Sequence, residues 1–421
     1  YMVPLTMFTT YGVVTEITGG RTASAYLVTL AAMLFTAFSY SFMVKKYPIA
    51  GSAYSYTSLS FGPCVGFLAG WSLLLDYLFL PMINYLLIGL FLNIAFPMVP
   101  AWVFVLAAIG LVTVLNVIGI SSVAGMSNVI VGAQFVFAVV FVAMAVKHLA
   151  GIPSLDLSLP FVGDGSQPGF APLMAGAAVL CLSFLGFDAI STLAEEVKGD
   201  PARQIGRAAL IALFIMGGIF IAQTWLATDL AAGMNFKSAD TAFYEIAEAA
   251  GGQWLSMLTA VATALAWGVT VSITSQAAVS RLLYSMARDG RLPRALARVH
   301  PRYQTPHVSL YLVAVLSLGI GWAFLDAPDV LTSLVNFGAL TGFCLLHLSV
   351  INHYYRRQRS GQWLRHLLFP LVGLAIIAYV LYSMSLDAQL LGLAWIAVGL
   401  VYLALLQRGG RQAPTELAKD L

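Results

Sequence analysis

Runs of about 20 apolar residues recur along the whole sequence, separated by short breaks that collect most of the charges. A helix of that length crosses about 30 Å of hydrocarbon. Hydrophobic residues make up 60% of the 421 positions and charged residues only 9%, whereas soluble domains are roughly 45–50% apolar and 25% charged. The sequence therefore predicts an all-α integral membrane protein.

Twelve of these runs are long enough to span a membrane, and together they predict a single transmembrane domain over residues 1–421. The expected spans are residues 1–18, 22–44, 63–96, 101–119, 124–147, 170–195, 205–228, 253–280, 307–325, 329–351, 366–385 and 388–407. Because the sequence opens inside an apolar run at Tyr1 without an initiator methionine, we also expect a cytoplasmic segment upstream of it.

Basic residues are divided unevenly between the two faces that the alternating loops define. Only Arg21, Lys147 and Lys237 fall on one face. The other face collects the clusters at positions 45–46, 198–207, 281–302, 356–365 and 408–419. Since cytoplasmic loops carry the excess of Lys and Arg, this bias predicts that both termini are cytoplasmic. The opposite face is net acidic, which indicates either an entrance that concentrates cations or ordinary solvated loops.

The sequence lacks the patterns of an enzyme, a metal site or a disulfide framework. Cys64, Cys181 and Cys344 lie in or near separate apolar runs without a CxxC or a Cys/His cluster. The GxSxG, HExxH and GxxxxGK motifs are absent. We therefore expect no enzymatic activity, no cofactor, no metal ion and no nucleic-acid partner, and composition predicts the lipid bilayer as surroundings.

The first and sixth spans carry helix-breaking and polar residues at corresponding places. The first, YMVPLTMFTTYGVVTEITGG, contains Pro4 and Gly12 among its threonines, and the sixth contains Gly186 and Asp188 after Pro172. A matched pair of interrupted helices indicates an inverted-repeat transporter, whose substrate lies at the midplane beside unwound backbone. Ordinary glycine or proline kinks are the alternative. The two five-helix repeats would cover residues 1–148 and 170–352, with two additional helices in 366–407.

Three motifs in the same order resemble those of the amino acid-polyamine-organocation superfamily. They are PIAGSAYSY (48–56), SFLGFDAISTLAEE (183–196) and SRLLYSMARDGRLP (280–293). Three further stretches are similar, more narrowly, to the bacterial putrescine importers: GWSLLLDYLFLPMIN (70–84), LVNFGAL (334–340) and LSVINHYYRR (348–357). The resemblance covers nearly the whole chain. It implies a five-plus-five, leucine-transporter-like fold in the bacterial cytoplasmic membrane, and import of a cationic aliphatic amine with protons as the driving force.

Asp76 and Asp188 are the two acids that fall well inside apolar spans. An acid at the bilayer centre costs about 2.5–3.5 kcal/mol, so each is a candidate functional residue. A diamine needs an acceptor at both ends, and two acids on different helices supply them. The alternatives are structural: Asp188 would fasten a hinge, and Asp76 would share a hydrogen bond with Ser72 one turn earlier.

Aromatic side chains near these acids would enclose the alkyl chain and contact the ammonium groups. The candidates are Tyr11, Tyr77, Phe184, Phe187 and Trp267. Ser183 and Gly186 in the sixth span complete the expected substrate-binding site. Trp267 is better explained as a core or lipid-facing residue, as most aromatic residues of this chain are.

The resemblance also assigns the turn of the first span to substrate binding. Amino acid carriers of this superfamily show Gly-Ser/Thr-Gly there, and the matching residues are Thr10, Tyr11 and Gly12. A tyrosine leaves less room for a carboxylate and suits a cation. Some putrescine importers place an acid where this chain has Thr9, so a monoamine and a longer polyamine are alternative substrates.

Asp188 is also the candidate for proton coupling, because a carboxyl group in an apolar cavity can exchange a proton for a substrate cation. Two turns further along, Glu195 and Glu196 would gate the inner exit or form a solvated helix end. A proton-coupled amino acid permease of the same fold and a transporter-like sensor remain the competing hypotheses. The sequence predicts neither the preferred amine nor the oligomeric state.

Two loop segments have their own predictions. The outer loop DTAFYEIAEAAGG (240–252) predicts a short amphipathic surface helix that ends at glycine. The basic segment SRLLYSMARDGRLPRALARVHPRY (280–303) predicts an interfacial cytoplasmic helix held by anionic lipid.

Overall fold

The computed structural model describes residues 2–49, 52–151, 156, 158–193, 197, 200–324 and 328–408. Over these residues the chain is helical, with no β-strand. The first eight α-helices are α1 Met7–Thr18, α2 Thr22–Lys46, α3 Ser52–Phe61, α4 Pro63–Ala95, α5 Ala101–Ile118, α6 Ile120–Leu149, α7 Leu159–Val162 and α8 Ala171–Phe184. The others are α9 Pro201–Leu230, α10 Ala242–Gly251, α11 Gln253–Ala262, α12 Thr270–Arg288, α13 His307–Ala323, α14 Pro328–Val350, α15 Phe369–Tyr382 and α16 Leu386–Arg408.

Ten helical stretches of the described chain are long and apolar enough to cross a membrane. They confirm a multi-pass membrane protein, and their bounds follow the predicted spans closely, as in Thr22–Lys46 and Pro63–Ala95. The ninth predicted span is the apolar but shorter α13, and α1 has 12 helical residues. The total of twelve spans and the inverted repeat stay predictions.

The α4 helix lies at the centre of the structure. It packs against α3, α5, α12 and α14, and most of its side chains are buried. Gly338 brings the backbone of α14 directly against α4: a Cβ at this position would lie 2.5 Å from the Ser72 carbonyl oxygen and 2.9 Å from the Asp76 nitrogen. Close contact through glycine is a common way to pack membrane helices. Here it fixes the part of α4 that carries Asp76.

The predicted break in the sixth span is confirmed. The α8 helix ends at Phe184, and the chain resumes as a 3₁₀-helix over Asp188–Leu193. Between them Gly186 has a φ of +105°, a backbone conformation that residues with a Cβ rarely adopt. The Ser191 hydroxyl donates to the Asp188 carbonyl oxygen at 2.6 Å, which satisfies one acceptor of the broken segment.

The predicted break at Thr10, Tyr11 and Gly12 is wrong, because α1 is helical without interruption from Met7 to Thr18. The irregular backbone lies earlier, at residues 2–6, where Pro4 has no N–H to donate. Gly12 has a packing role instead: a Cβ there would overlap the carbonyl oxygen of Ala239.

Two further helices differ from expectation. The outer helix α10 ends before Gly252 as predicted, but it is largely buried, because Phe243 stacks on Phe8 with ring centroids 3.8 Å apart. It therefore packs on α1 and is not a surface helix. The polar, buried helix α3 follows the second span and has no counterpart in the predicted spans.

The basic segment 280–303 is not one helix. The α12 helix ends at Arg288, Gly290 has φ +72°, and a single 3₁₀ turn follows at Arg294–Ala297. The rest of the segment continues as a loop to α13.

Candidate functional site

Asp76 lies in the middle of α4 and is 1% exposed. Neither oxygen of its carboxyl group has a hydrogen-bond partner among the described residues. Ser72 does not serve it, because the Ser72 hydroxyl donates to the Leu68 carbonyl oxygen at 2.8 Å. The structural explanation based on Ser72 is therefore wrong. A buried polar group without a partner costs roughly 1–3 kcal/mol, and more if it is charged, so a donor from outside the chain would stabilise this site.

Asp188 is buried to the same extent and begins the 3₁₀-helix after the break. The Tyr77 hydroxyl donates to its Oδ2 at 2.5 Å, and the Gly186 backbone N–H donates to its Oδ1 at 3.1 Å. Tyr77 follows Asp76 directly on α4. The Asp188 carboxyl group therefore ties the broken segment to the continuous central helix.

The two carboxyl groups are close enough to interact electrostatically. Both carboxyl groups are also close enough to interact electrostatically with the hydroxyl of Tyr40 on α2. The Tyr40 ring contacts Phe187, with ring centroids 5.9 Å apart. Two acids from different helices thus share one buried region with aromatic walls. This arrangement fits a cationic ligand, because carboxylates and aromatic faces both attract cations.

Two residues of this region were missed by the sequence reasoning. The Tyr40 hydroxyl and the Ser52 hydroxyl are hydrogen-bonded at 2.9 Å. Ser52 begins α3 with φ +53°, a strained conformation for a residue with a Cβ, and such strain is concentrated at functional sites. The signal was available in the PIAGSAYSY motif, which contains Ser52, but the motif indicated only a family resemblance.

A cavity of about 380 Å³ lies between α1, α8 and α14, on the side where α1 ends and α8 begins. We call this side the acidic face, and the opposite side the basic face. The lining residues include Thr9, Thr10, Leu182 and Asn336, with Ser383–Ser385 from the turn between α15 and α16. Asp76, Tyr77 and Asp188 are not among them, so the two acids do not line this cavity.

Asn336 lines the cavity from α14. Its Oδ1 is buried without a partner among the described residues, and it lies two positions before Gly338, which touches the backbone of Asp76. The same helix, α14, therefore lines the cavity with Asn336 and packs against the Asp76 segment of α4 with Gly338.

The other predicted residues are divided between this region and its surroundings. Ser183 is hydrogen-bonded to the Tyr26 hydroxyl at 3.2 Å, and Phe184 packs edge-on to Phe220 with centroids 5.4 Å apart. The Tyr11 hydroxyl donates to Thr228 at 3.1 Å, away from the acids. The structure thus brings together Asp76, Tyr77, Gly186, Phe187 and Asp188, with Thr10 in the adjoining cavity, and it separates Tyr11 and Gly12 from them.

Three candidates receive no structural test. Glu195 and Glu196 lie outside the described residues, and so does the side chain of Trp267. Their roles as gates and as an aromatic wall stay predictions.

A second cavity on the acidic face, of about 500 Å³, is lined by Tyr11, Glu16 and Asp164 among others. Hydrogen bonds from Ser166 hold the pKa of the Asp164 carboxyl group below its usual range. Asp164 is therefore ionised at neutral pH and gives this cavity a negative charge. A negatively charged cleft raises the local concentration of cations.

Comparisons with known proteins agree with the motifs. The chain matches the model of the amino acid permease family over residues 2–404. It is 37% identical to the low-affinity putrescine importer PlaP of Escherichia coli K12, over 98% of this chain and 91% of the relative. It is 26% identical to the branched-chain amino acid permease BcaP of Bacillus subtilis, over 91% of this chain and 85% of the relative.

A methylthioribose transporter of Bacillus subtilis is 27% identical, over 90% of this chain and 84% of its own length. The matches extend over nearly the whole chain, so they concern the complete helical domain. The chain therefore belongs to the amino acid permease family, within the superfamily that its motifs resemble.

Proposed function

We propose that this permease imports a small aliphatic amine, such as putrescine, across the bacterial cytoplasmic membrane by alternating access, coupled to the proton gradient. The observation that carries the proposal is the Asp76 carboxyl group, which is buried and lacks partners among the described residues. An ammonium group has three N–H donors and a positive charge. It supplies both the donors and the countercharge that Asp76 lacks among the described residues, whereas a neutral solute can supply donors without the charge.

Asp188 is the second acceptor that a diamine requires. It lies on a different helix from Asp76 and interacts with it electrostatically. Tyr77, Phe187 and Tyr40 provide the aromatic surface between and around the acids. A cation in contact with an aromatic face gains about 0.5–2 kcal/mol for each ring.

The polar cavity on the acidic face is the proposed entrance. Its lining combines hydroxyl and amide groups with apolar side chains such as Val13, Val179 and Leu182. This mixture suits a ligand with polar ends and an alkyl chain. The negative charge at Asp164 would draw cations to the same face.

Asp188 is also the proposed proton-coupling group. Its two oxygens accept from the Tyr77 hydroxyl on α4 and from the Gly186 backbone N–H inside the helix break. Protonation would remove the charge that both donors bind, and so weaken the junction between α4 and the broken segment. The proton and the position of the segment would then change together, as alternating access requires.

The relatives support an amine over the alternatives. The putrescine importer of Escherichia coli has 37% identity, against 26% for the branched-chain amino acid permease. A carboxylate ligand is disfavoured, because a third anionic group beside Asp76 and Asp188 would be repelled.

Uptake by purified protein in proteoliposomes tests the proposal. With the outside more acidic than the inside, labelled putrescine should accumulate, and dissipating the pH gradient should abolish the accumulation. Excess unlabelled putrescine should compete, and excess neutral amino acid should not. Competition by the amino acid alone would favour an amino acid permease, and binding without exchange in counterflow would indicate a sensor.

A further inference from the structure

A third cavity, of about 540 Å³, lies at the basic face and shares no lining residue with the site around Asp76. It is enclosed by the end of α5, the middle of α12 and the loop before α13. Its lining residues are Asn116, Ile118, Gly119, Ala277, Ser280, Arg281, Tyr284, Val299, Tyr303, Gln304, Thr305, Pro306 and Leu310. None of these described lining residues is acidic, and Arg281 is the one cation among them.

Asn116 lines this cavity and carries a buried acceptor. The residue is 3% exposed, and its Nδ2 donates to the Gln276 Oε1 at 2.8 Å and to the Ile273 carbonyl oxygen at 3.1 Å. The Gln276 amide nitrogen in turn donates to the Thr113 hydroxyl at 3.0 Å, which fixes the orientation of both amides. The Asn116 Oδ1 has no partner among the described residues. It would be satisfied by a ligand that carries a hydroxyl or N–H donor.

The rest of the lining offers donors and a positive charge. Arg281 supplies a guanidinium group, and Tyr284 and Tyr303 supply hydroxyl groups. A guanidinium fork matches the oxygens of a phosphate group particularly well. The cavity therefore combines a binding place for an anionic phosphate with an acceptor for a hydroxyl group.

The cavity is held open by a fixed loop. The Thr305 hydroxyl donates to the Val117 carbonyl oxygen at 2.9 Å, which joins the loop to the end of α5. The His300 Nδ1 accepts from the backbone N–H groups of Arg302 and Tyr303, both at 3.2 Å. Because these bonds do not involve a ligand, the site is formed in advance.

An exposed apolar stripe of α5 leads to this cavity. Leu111, Val114 and Ile118 lie on one side of the helix and are 51%, 57% and 42% exposed. Ile118 also lines the cavity, as does the exposed Val299. In a membrane-spanning helix such a stripe faces acyl chains. A phosphate group bound at Arg281 would thus lie at the end of a lipid-facing surface.

We propose that this cavity binds the headgroup of an anionic phospholipid whose headgroup carries hydroxyl groups, as in phosphatidylglycerol. The phosphate contacts Arg281 and the tyrosine hydroxyls, a headgroup hydroxyl donates to Asn116, and the acyl chains follow the α5 stripe. The site would anchor α5 and α12 to the lipid of the basic face. The proposal narrows the general attraction of a basic segment for anionic lipid to one defined site.

Native mass spectrometry of the full chain in detergent, titrated with a short-chain phosphatidylglycerol, tests the proposal. Arg281→Gln should weaken binding by about tenfold or more, since hydrogen bonds to charged groups typically contribute that much. Arg294→Gln is the matched control, because it removes an exposed cation of the same segment that does not line the cavity, and its affinity should equal that of the parent. Arg281→Lys should retain part of the binding.

Two comparisons distinguish the ligand. Short-chain phosphatidylethanolamine, which is not anionic, should bind at least about tenfold more weakly than phosphatidylglycerol, and millimolar inorganic phosphate should not displace the lipid. Equal lipid binding by Arg281→Gln and Arg294→Gln would overturn the proposal. Displacement by inorganic phosphate would also overturn it and would assign the site to a soluble anion. Equal unfolding temperatures of the variants without lipid show that a loss of binding is not a loss of fold.

Discussion

The Tyr77 hydroxyl donates a 2.5 Å hydrogen bond to the Oδ2 of Asp188, and it joins the continuous helix α4 to the break in the sixth span. The other Asp188 oxygen accepts from Gly186 inside the break. One carboxyl group therefore holds two elements that alternating access would require to move relative to each other.

Replacing Tyr77 by Phe removes this bond and keeps the ring. We expect transport by Tyr77→Phe to fall by roughly tenfold, because a hydrogen bond to a carboxylate contributes about 1.5–3 kcal/mol. Initial rates of labelled putrescine uptake measure the effect. Tyr85→Phe is the matched control on the same helix, since its hydroxyl has no partner among the described residues. Equal rates for the two variants would argue against a role for the Tyr77 bond.

The conformation of Gly186 predicts a second effect. At φ +105° an added Cβ is strained, so Gly186→Ala should destabilise the break by about 1–3 kcal/mol and reduce transport. Gly218→Ala, in the helical interior of α9, meets no atom within 4 Å and should be neutral or slightly stabilising. Thermal unfolding in detergent and uptake rates compare the two. Wild-type behaviour of Gly186→Ala would show that the break adopts another geometry.

Asp164 predicts the pH and salt dependence of substrate capture. Hydrogen bonds from Ser166 lower its pKa in the folded protein, so the charge and its small contribution to stability are present above the unfolded-state pKa. Both are lost as the pH falls through the lower folded-state pKa. Between pH 5.5 and 8 the charge is constant, and Asp164→Asn should raise KM at low salt and have no effect at high salt. A KM difference that persists at high salt would contradict simple electrostatic attraction.

The unpartnered carboxyl group of Asp76 predicts an unusual effect on stability. Asp76→Asn should leave the unfolding temperature of the ligand-free protein unchanged or raise it, because it removes a buried ionisable group that lacks donors. Added putrescine should stabilise the parent and not the variant. A marked destabilisation of the ligand-free variant would mean that Asp76 has a structural role.

The spanning helices and the sixth-span break were predictable from the sequence, because hydropathy over 20 residues and the Gly186–Asp188 pattern are local signals. The same reasoning placed the first irregular segment at Thr10–Gly12, whereas it lies at residues 2–6. A glycine in a helix looks alike in sequence whether it breaks the helix or allows close packing. Only the nearby Ala239 carbonyl oxygen shows that Gly12 does the latter.

The site was partly predictable for the same reason. An acid inside an apolar run stands out, and Asp76 and Asp188 do share one region. Their different partners are a tertiary property: Tyr77 serves Asp188 on another helix, while Ser72 bonds within its own helix. The hydrogen bond between Tyr40 on α2 and Ser52 on α3 is also a tertiary contact that no local pattern predicts. The same holds for the positive φ of Ser52.

The most direct test of the account is equilibrium binding of labelled putrescine to purified parent protein and Asp76→Asn. If Asp76 accepts the ammonium group, the variant should bind at least about tenfold more weakly, since it loses a charge-assisted interaction in a buried site. Ser72→Ala, one turn away and bonded only within its helix, should bind as the parent does. An unchanged affinity in Asp76→Asn would contradict the central claim that this buried carboxyl group binds the substrate cation.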